Sequence, residues 1–206
     1  MGFGLCSPAV EPGPGRHRIS ARSSFRLPTM PDIRIAQAGP EFAEDIARIH
    51  VAARNAYYSE SPRLLGVPGQ EWDYEPVWRN RLSSPEHTVM TASVAGQLLG
   101  FAAMTATSLP DGARADAFEL VGLYVDPRAW GRGIGSRLYE AFETKWLATD
   151  SATAVLEVWS ENDRAIRFYT SRGWQPDGHA RPAPEGTTYI RMFLSQLEPL
   201  EPSRDR

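Results

Sequence analysis

The chain has a single cysteine, no histidine pair at a metal-binding spacing and no long apolar run. Each absence excludes a class of protein. Cys6, alone among 206 residues, rules out an intramolecular disulfide framework and a cysteine-based zinc cluster. It also fits a reducing, cytoplasmic setting. His50, His87 and His179 lie too far apart for a histidine metal motif, so no metal is expected. No apolar stretch approaches the roughly 20 residues that a membrane span requires. The formal net charge of -3 and pI near 5.8 give no broad basic field for nucleic acid or an anionic membrane. There are no internal repeats. What remains is 42% hydrophobic and 23% charged residues, an ordinary balance for one globular domain with its own core.

Residues 1–30 differ from the rest. They are rich in Gly, Pro, Ser and Arg and show neither helical nor strand periodicity. Such a segment buries too little apolar surface to offset its ordering entropy, so a disordered extension is expected, with Met30 as an alternative start. The domain is expected over residues 31–197, and a flexible tail over 198–206.

Pattern then places the elements. A short alternating strand covers 31–36. A helix covers Pro40 to Tyr58, with Phe42, Ile46, Ile49 and Ala53 on one face. A second helix covers Gln70 to Arg81, its register blurred by Pro76. Strands at His87 to Val94 and Gln97 to Thr107 flank an Ala95-Gly96 hairpin turn. After a loop at Leu109 to Ala115, a strand runs from Ala117 to Val125 and stops at Asp126-Pro127. A helix over Gly133 to Leu147, a strand over Ala154 to Trp159 and a helix over Asn162 to Arg172 follow. Gly173 stops that last helix. Two final strands begin near Trp174 and at Thr188 to Leu194. This order predicts a mixed α/β fold of the α+β type, with about six or seven strands, about four helices and a mostly antiparallel sheet with a parallel crossover.

The segment Trp130-Gly131-Arg132-Gly133-Ile134-Gly135-Ser136 joins a strand to a helix. Glycines there let backbone approach a bulky anion. The open N–H groups and dipole of the helix start favour that anion. Arg128, Arg132 and Arg137 add charge nearby. A Walker A loop would need a lysine that is missing. A dinucleotide fingerprint counted from Gly131 meets Ser136 where its third glycine belongs.

The strand Leu123-Tyr124-Val125, Asp126-Pro127 and the run Gly131 to Gly135 together resemble the acetyl-CoA signature of the GNAT superfamily of N-acetyltransferases. Downstream, Asn162, Ala165, the pair Phe168-Tyr169 and Gly173-Trp174 match the superfamily's second motif in order and separation. The resemblance covers roughly residues 30–197. It departs at one point: Trp130 stands where the signature usually has Gln or Arg, leaving Arg128 or Arg132 to supply the charge.

The resemblance implies a splayed strand pair around acetyl-CoA and transfer of its acetyl group to an amine acceptor, a small molecule being favoured. Cofactor contacts would fall on Leu123, Tyr124, Val125, Arg128, Gly131, Arg132, Gly133, Ile134, Gly135, Ser136, Asn162, Arg164 and Phe168. A carboxylate base lies, in such enzymes, eleven positions before the Gln/Arg position, which is Glu119 here. Alternation along the strand would put its side chain on one face with Val121, Leu123 and Val125. Tyr169 matches the usual general acid. The main-chain amide of Leu123 or Val125 would donate to the thioester oxygen. Glu119 and Glu157, with Tyr57 and Tyr58, are expected at the acceptor site. Those tyrosines, with Trp72 and Trp78, either stack on an acceptor or fill the core. Asp111, Asp116 and Glu119 suggest an acidic mouth. His50 is expected to be a structural histidine. Homodimers are common in the superfamily, but no feature marks an interface. Two other readings are a non-catalytic acyl-CoA-binding module and, against the glycine spacing, a nucleotide-dependent oxidoreductase.

Overall fold

The computed structural model describes residues 32–59, 73–107, 116–183 and 186–196. The terminal segments, Cys6, Trp72, Asp111 and the start expected for the second helix at Gln70 lie outside these residues.

The described residues form a seven-stranded sheet and four α-helices. β1 (Arg34–Gln37) leads through a single 3-10 turn into α1 (Ala43–Ser59). Glu44 and Asp45 sit in the first turn of α1, where the helix dipole favours negative charge. α2 (Glu75–Ser83) begins so that Pro76 falls in its first turn, where a missing N–H breaks no helical bond. β2 (His87–Val94) and β3 (Gln97–Thr107) form a hairpin. Its turn carries positive φ at Ala95 (50°) and Gly96 (80°), the twist that a two-residue hairpin loop needs.

β4 (Ala117–Val125), α3 (Ile134–Leu147) and β5 (Thr153–Trp159) make the parallel crossover. α4 (Asp163–Thr170) follows, then β6 (Gln175–Pro182) and β7 (Thr188–Ser195). The strand order is β1-β2-β3-β4-β5-β7-β6, so the last strand inserts between β5 and β6. Every neighbouring pair is antiparallel except β4–β5.

The core lies on both faces of the sheet. On one, Leu138, Phe142 and Trp146 of α3 and Tyr169 of α4 pack on Met104, Phe118, Leu120 and Leu156. On the other, Ile46 and Ile49 of α1 and Trp78 of α2 pack on Val89, Phe101 and Ala103.

β4 is not a regular strand. Leu120 lies opposite Met104 and Gly122 opposite Ala103, so Val121 has no partner in β3 and forms a bulge. The bulge reverses the alternation. Leu123 and Val125 pack toward α3, whereas Val121 and Tyr124 pack toward α1 and α2. Glu119, opposite Thr105, shares the α1 side with Val121 and Tyr124. The expectation that Glu119, Val121, Leu123 and Val125 share one face is therefore corrected. An unbroken period of two does not survive an inserted residue.

Candidate active site

β4 and β5 pair over three rungs only, Ala117–Thr153, Phe118–Ala154 and Glu119–Val155. Beyond them, Leu120 to Val125 and Leu156 to Trp159 run apart. A cavity of about 610 Å³ opens in the fork, within the range of small-molecule and cofactor sites. Its walls are the diverging strands, the glycine turn, the start of α3 and one face of α4. Backbone groups of β4 that would bond to β5 in a continuous ladder instead border this space. They are donors and acceptors that demand partners.

The glycine turn forms one end. Gly131 (φ 74°) and Gly133 (φ 80°) both adopt the left-handed conformation that L side chains rarely take. Gly133 is the N-cap of α3, and no side chain caps that helix start. Gly131, Gly133, Ile134, Gly135 and Ser136 all line the cavity, so the uncapped N–H groups of a 14-residue helix lie at its edge.

The arginines sort themselves by partner. Arg128 is held by Asp126, Nε to Oδ1 at 3.0 Å and Nη2 to Oδ2 at 2.6 Å. The Arg128 hydrogen bonds and ion pair keep the buried Asp126 carboxyl below its usual range, against the effect of burial. Arg132 is exposed and Arg137 pairs with Glu140 at 2.7 Å. Arg172 stacks on Phe168, 3.6 Å from its ring centre, and donates to Ser136 Oγ at 3.0 Å, tying α4 to α3. Arg164, among the described residues, is the arginine that lines the cavity.

Besides Arg164, α4 and its cap supply three of the expected side chains. Asn162 caps it, Oδ1 accepting the Ala165 N–H at 3.1 Å, and also lines the cavity. Phe168 and Tyr169 line the same space. Tyr169 is buried, with its ring against Phe168 (5.4 Å) and Trp174 (5.9 Å). Burial pushes its phenol well above the ordinary value, so it stays protonated across the physiological range.

At the fork, Glu119 is half-buried, and Glu157 lies two residues beyond its rung partner on β5. Burial raises the Glu119 carboxyl first and the Glu157 charge second. Arg81, a hydrogen bond with Thr107, and Arg181 act the other way. Glu157 borders the cavity and pairs with Arg181 at 2.5 Å. Glu119 is not among the cavity-lining residues. It sits behind the fork, on the α1 side.

An aromatic wall completes the site on that side. Tyr57, Tyr124, Trp159 and Tyr189 line it. Tyr58 stands behind them, edge-on to Trp159 (4.7 Å) and hydrogen-bonded to the Tyr189 hydroxyl (2.9 Å). Burial raises the Tyr57 and Tyr189 phenols and pushes Tyr124 up to about 12, so the wall carries no phenolate at neutral pH. Trp78 is core. Its indole N–H donates to His50 Nδ1 at 3.2 Å, and burial lowers that imidazole to about 4. His50 is thus a neutral structural group.

Trp159 and Tyr189 were missed by sequence reasoning. Trp159 carried the hint of ending the strand beside the cofactor motif. Tyr189 carried none, because only the insertion of β7 beside β5 sets it opposite Trp159. Among the described residues, no cluster of His, Cys, Asp and Glu fits a metal ion, and no helix is long and apolar enough to cross a membrane.

A family model described as Acetyltransferase (GNAT) family matches residues 49–174. The chain belongs to the GNAT acetyltransferase family. The GNAT match runs from α1 through Trp174 and takes in the fork, the glycine turn and α4. A search of curated proteins finds no match. Solved structures share the fold at low identity. An N-acetyltransferase from Staphylococcus aureus Mu50 aligns with a TM-score of 0.61 at 19% identity, over 80% of this chain and 98% of that one. The PaiA N-acetyltransferase of Thermoplasma acidophilum, solved with coenzyme A, gives 0.59 at 17% identity, over 77% and 97%. YncA of Salmonella typhimurium, solved with acetyl-CoA, gives 0.61 at 18%, over 84% and 99%.

Proposed function

We propose that this GNAT protein moves the acetyl group of acetyl-CoA onto the nitrogen of a small primary amine, by direct attack in a ternary complex. The observation that carries the reading is the fork between β4 and β5. It sets unladdered strand backbone and an uncapped helix start around one cavity. Strand backbone suits the peptide-like pantetheine arm, and the helix start suits the pyrophosphate. Gly131, Gly133, Ile134, Gly135, Ser136, Asn162, Arg164 and Phe168 would hold the donor, with Leu123, Tyr124 and Val125 along its arm. Arg128 and Arg132 are less well placed, the first tied to Asp126 and the second exposed.

The chemistry follows from the walls. The amine must lose a proton to attack. Glu119, raised by burial and by Glu157, suits a base, and its place behind the fork requires a water relay. As the C–N bond forms, charge grows on the thioester oxygen. The amide of Leu123 or Val125 would stabilise it, one such donor lowering the barrier by about 3 kcal/mol. The C–S bond then breaks and the neutral Tyr169 phenol protonates the departing sulfur. Glu157 in the cavity wall and Glu119 behind it, with rings of Tyr57, Tyr124, Trp159 and Tyr189 in the same wall, favour a cationic amine with an apolar or aromatic body. Both substrates suit a cytoplasmic enzyme.

The test is release of free coenzyme A thiol from acetyl-CoA across an amine panel, with mass spectrometry of the product. Transfer to an aromatic or aliphatic primary amine supports the reading. Tight acetyl-CoA binding without transfer to any amine overturns it in favour of a non-catalytic acyl-CoA-binding module.

A further inference from the structure

We infer that Trp130 is a positioning residue for the donor's phosphates, acting by holding the Arg164 guanidinium across the mouth of the cofactor cleft. The inference rests on the acetyl-CoA reading above.

Two contacts carry it. The Trp130 indole N–H donates to the carbonyl of Val125, the last residue of β4, at 2.8 Å. That bond fixes the ring at the end of the strand. The Arg164 guanidinium lies over the same ring, 3.9 Å from its centre. Trp130 immediately precedes the glycine turn, and Arg164 is the second residue of α4, so the stack joins the two elements that border the cleft. Both residues line the cavity.

Charge placement gives the stack its purpose. An uncapped helix start attracts an anion through partial charges alone, and a dianionic pyrophosphate calls for a full positive charge beside it. Among the described residues, Arg164 is the arginine that lies in the cavity wall. An indole is the strongest aromatic partner for a cation. Stacking engages the flat face of a guanidinium, and the N–H donors in its plane match the geometry of phosphate oxygens. The unusual tryptophan before the glycine turn thus supplies charge indirectly, by orienting an arginine from another helix.

The experiment measures binding of two donors by calorimetry. Acetyl-CoA carries the phosphates, and S-acetylpantetheine lacks them. The proteins are full-length wild type, Trp130→Ala, Trp130→Phe, Arg164→Ala and the double Trp130→Ala/Arg164→Ala variant, each with its thermal unfolding recorded. Trp130→Ala and Arg164→Ala should each weaken acetyl-CoA binding about 5- to 30-fold. The double variant should lose little more than either single one, because both remove the same contact. Trp130→Phe, which keeps a ring, should lose less. Affinity for S-acetylpantetheine should be unchanged throughout, and raising salt should narrow the gap between wild type and Arg164→Ala. The inference is overturned if Trp130→Ala and Trp130→Phe bind acetyl-CoA like wild type, if the two single losses simply add, or if both donors weaken equally. Failure of the wild type to bind acetyl-CoA at all overturns the functional reading, and this inference with it.

Discussion

Glu119 and Val155 form the last parallel rung between β4 and β5, and the strands part immediately beyond them. The proposed base therefore stands at the apex of the fork that makes the cofactor cleft. The bulge at Val121 comes two residues later and turns Leu123 and Val125 away from the face that Glu119 shares with Tyr124. In the proposed reaction, donor and acceptor would approach β4 from opposite sides, with the thioester between them.

Replacing Glu119 by Gln should remove the acid limb of the rate profile. Glu119 must be ionised to accept a proton, so activity rises with pH through its pKa. Burial and Glu157 set that midpoint above the ordinary carboxylate value. A pH series of kcat/KM for wild type should show this limb, and Glu119→Gln should flatten it with a loss of about 10²-fold or more at neutral pH. A profile of unchanged shape would remove Glu119 from the role.

Glu157→Gln should shift that limb to lower pH. The substitution removes the charge that raises Glu119 and leaves the Arg181 charge beside it without the carboxylate it now pairs with. Both changes favour the ionised form. An upward shift, or none, would show that the two carboxylates do not interact.

Tyr169→Phe should lower kcat about 10- to 100-fold, with little change in acetyl-CoA affinity. The ring contacts with Phe168 and Trp174 survive the substitution, and only the proton is lost. The phenol is held well above neutrality, so the wild-type rate should show no loss of this proton below pH 9. Steady-state kinetics with acetyl-CoA varied at saturating amine distinguish the two effects.

Asp126→Asn should destabilise the fold by about 1–3 kcal/mol at neutral pH, because the buried carboxylate holds Arg128 and accepts its backbone N–H at 3.0 Å. Its pKa is lowered in the folded state, so the stabilisation is present above the unfolded value of 3.8 and disappears as pH falls through the lower folded value. Urea unfolding at pH 7 and near pH 3 should show the wild type and variant converging in acid. A constant gap would contradict the assignment.

Gly133→Ala should cost about 1–2 kcal/mol of stability, since φ of 80° is unfavourable for any residue with a Cβ. It should also weaken acetyl-CoA binding by disturbing the start of α3. Denaturant titration reads the first effect and calorimetry the second; acetyl-CoA affinity equal to wild type would argue that the turn does not hold the pyrophosphate.

Much of this molecule was determined locally, by the residues themselves. The β2–β3 hairpin follows from Ala95-Gly96, the end of β4 from Asp126-Pro127, and the start of α4 from Asn162, whose side chain caps the helix it opens. The glycine turn was legible for the same reason: positive φ and an uncapped helix start depend on a few consecutive residues. Tertiary structure alone decided the rest. The bulge at Val121 is visible only against β3, and it overturned the face expected for Leu123 and Val125. The place of Tyr189 depends on β7 entering the sheet between β5 and β6. The contact of Trp130 with Arg164 joins residues that no short-range period relates. Local rules govern backbone conformation because its forces act between near neighbours, whereas charges and rings from distant segments meet only after the sheet has chosen its order.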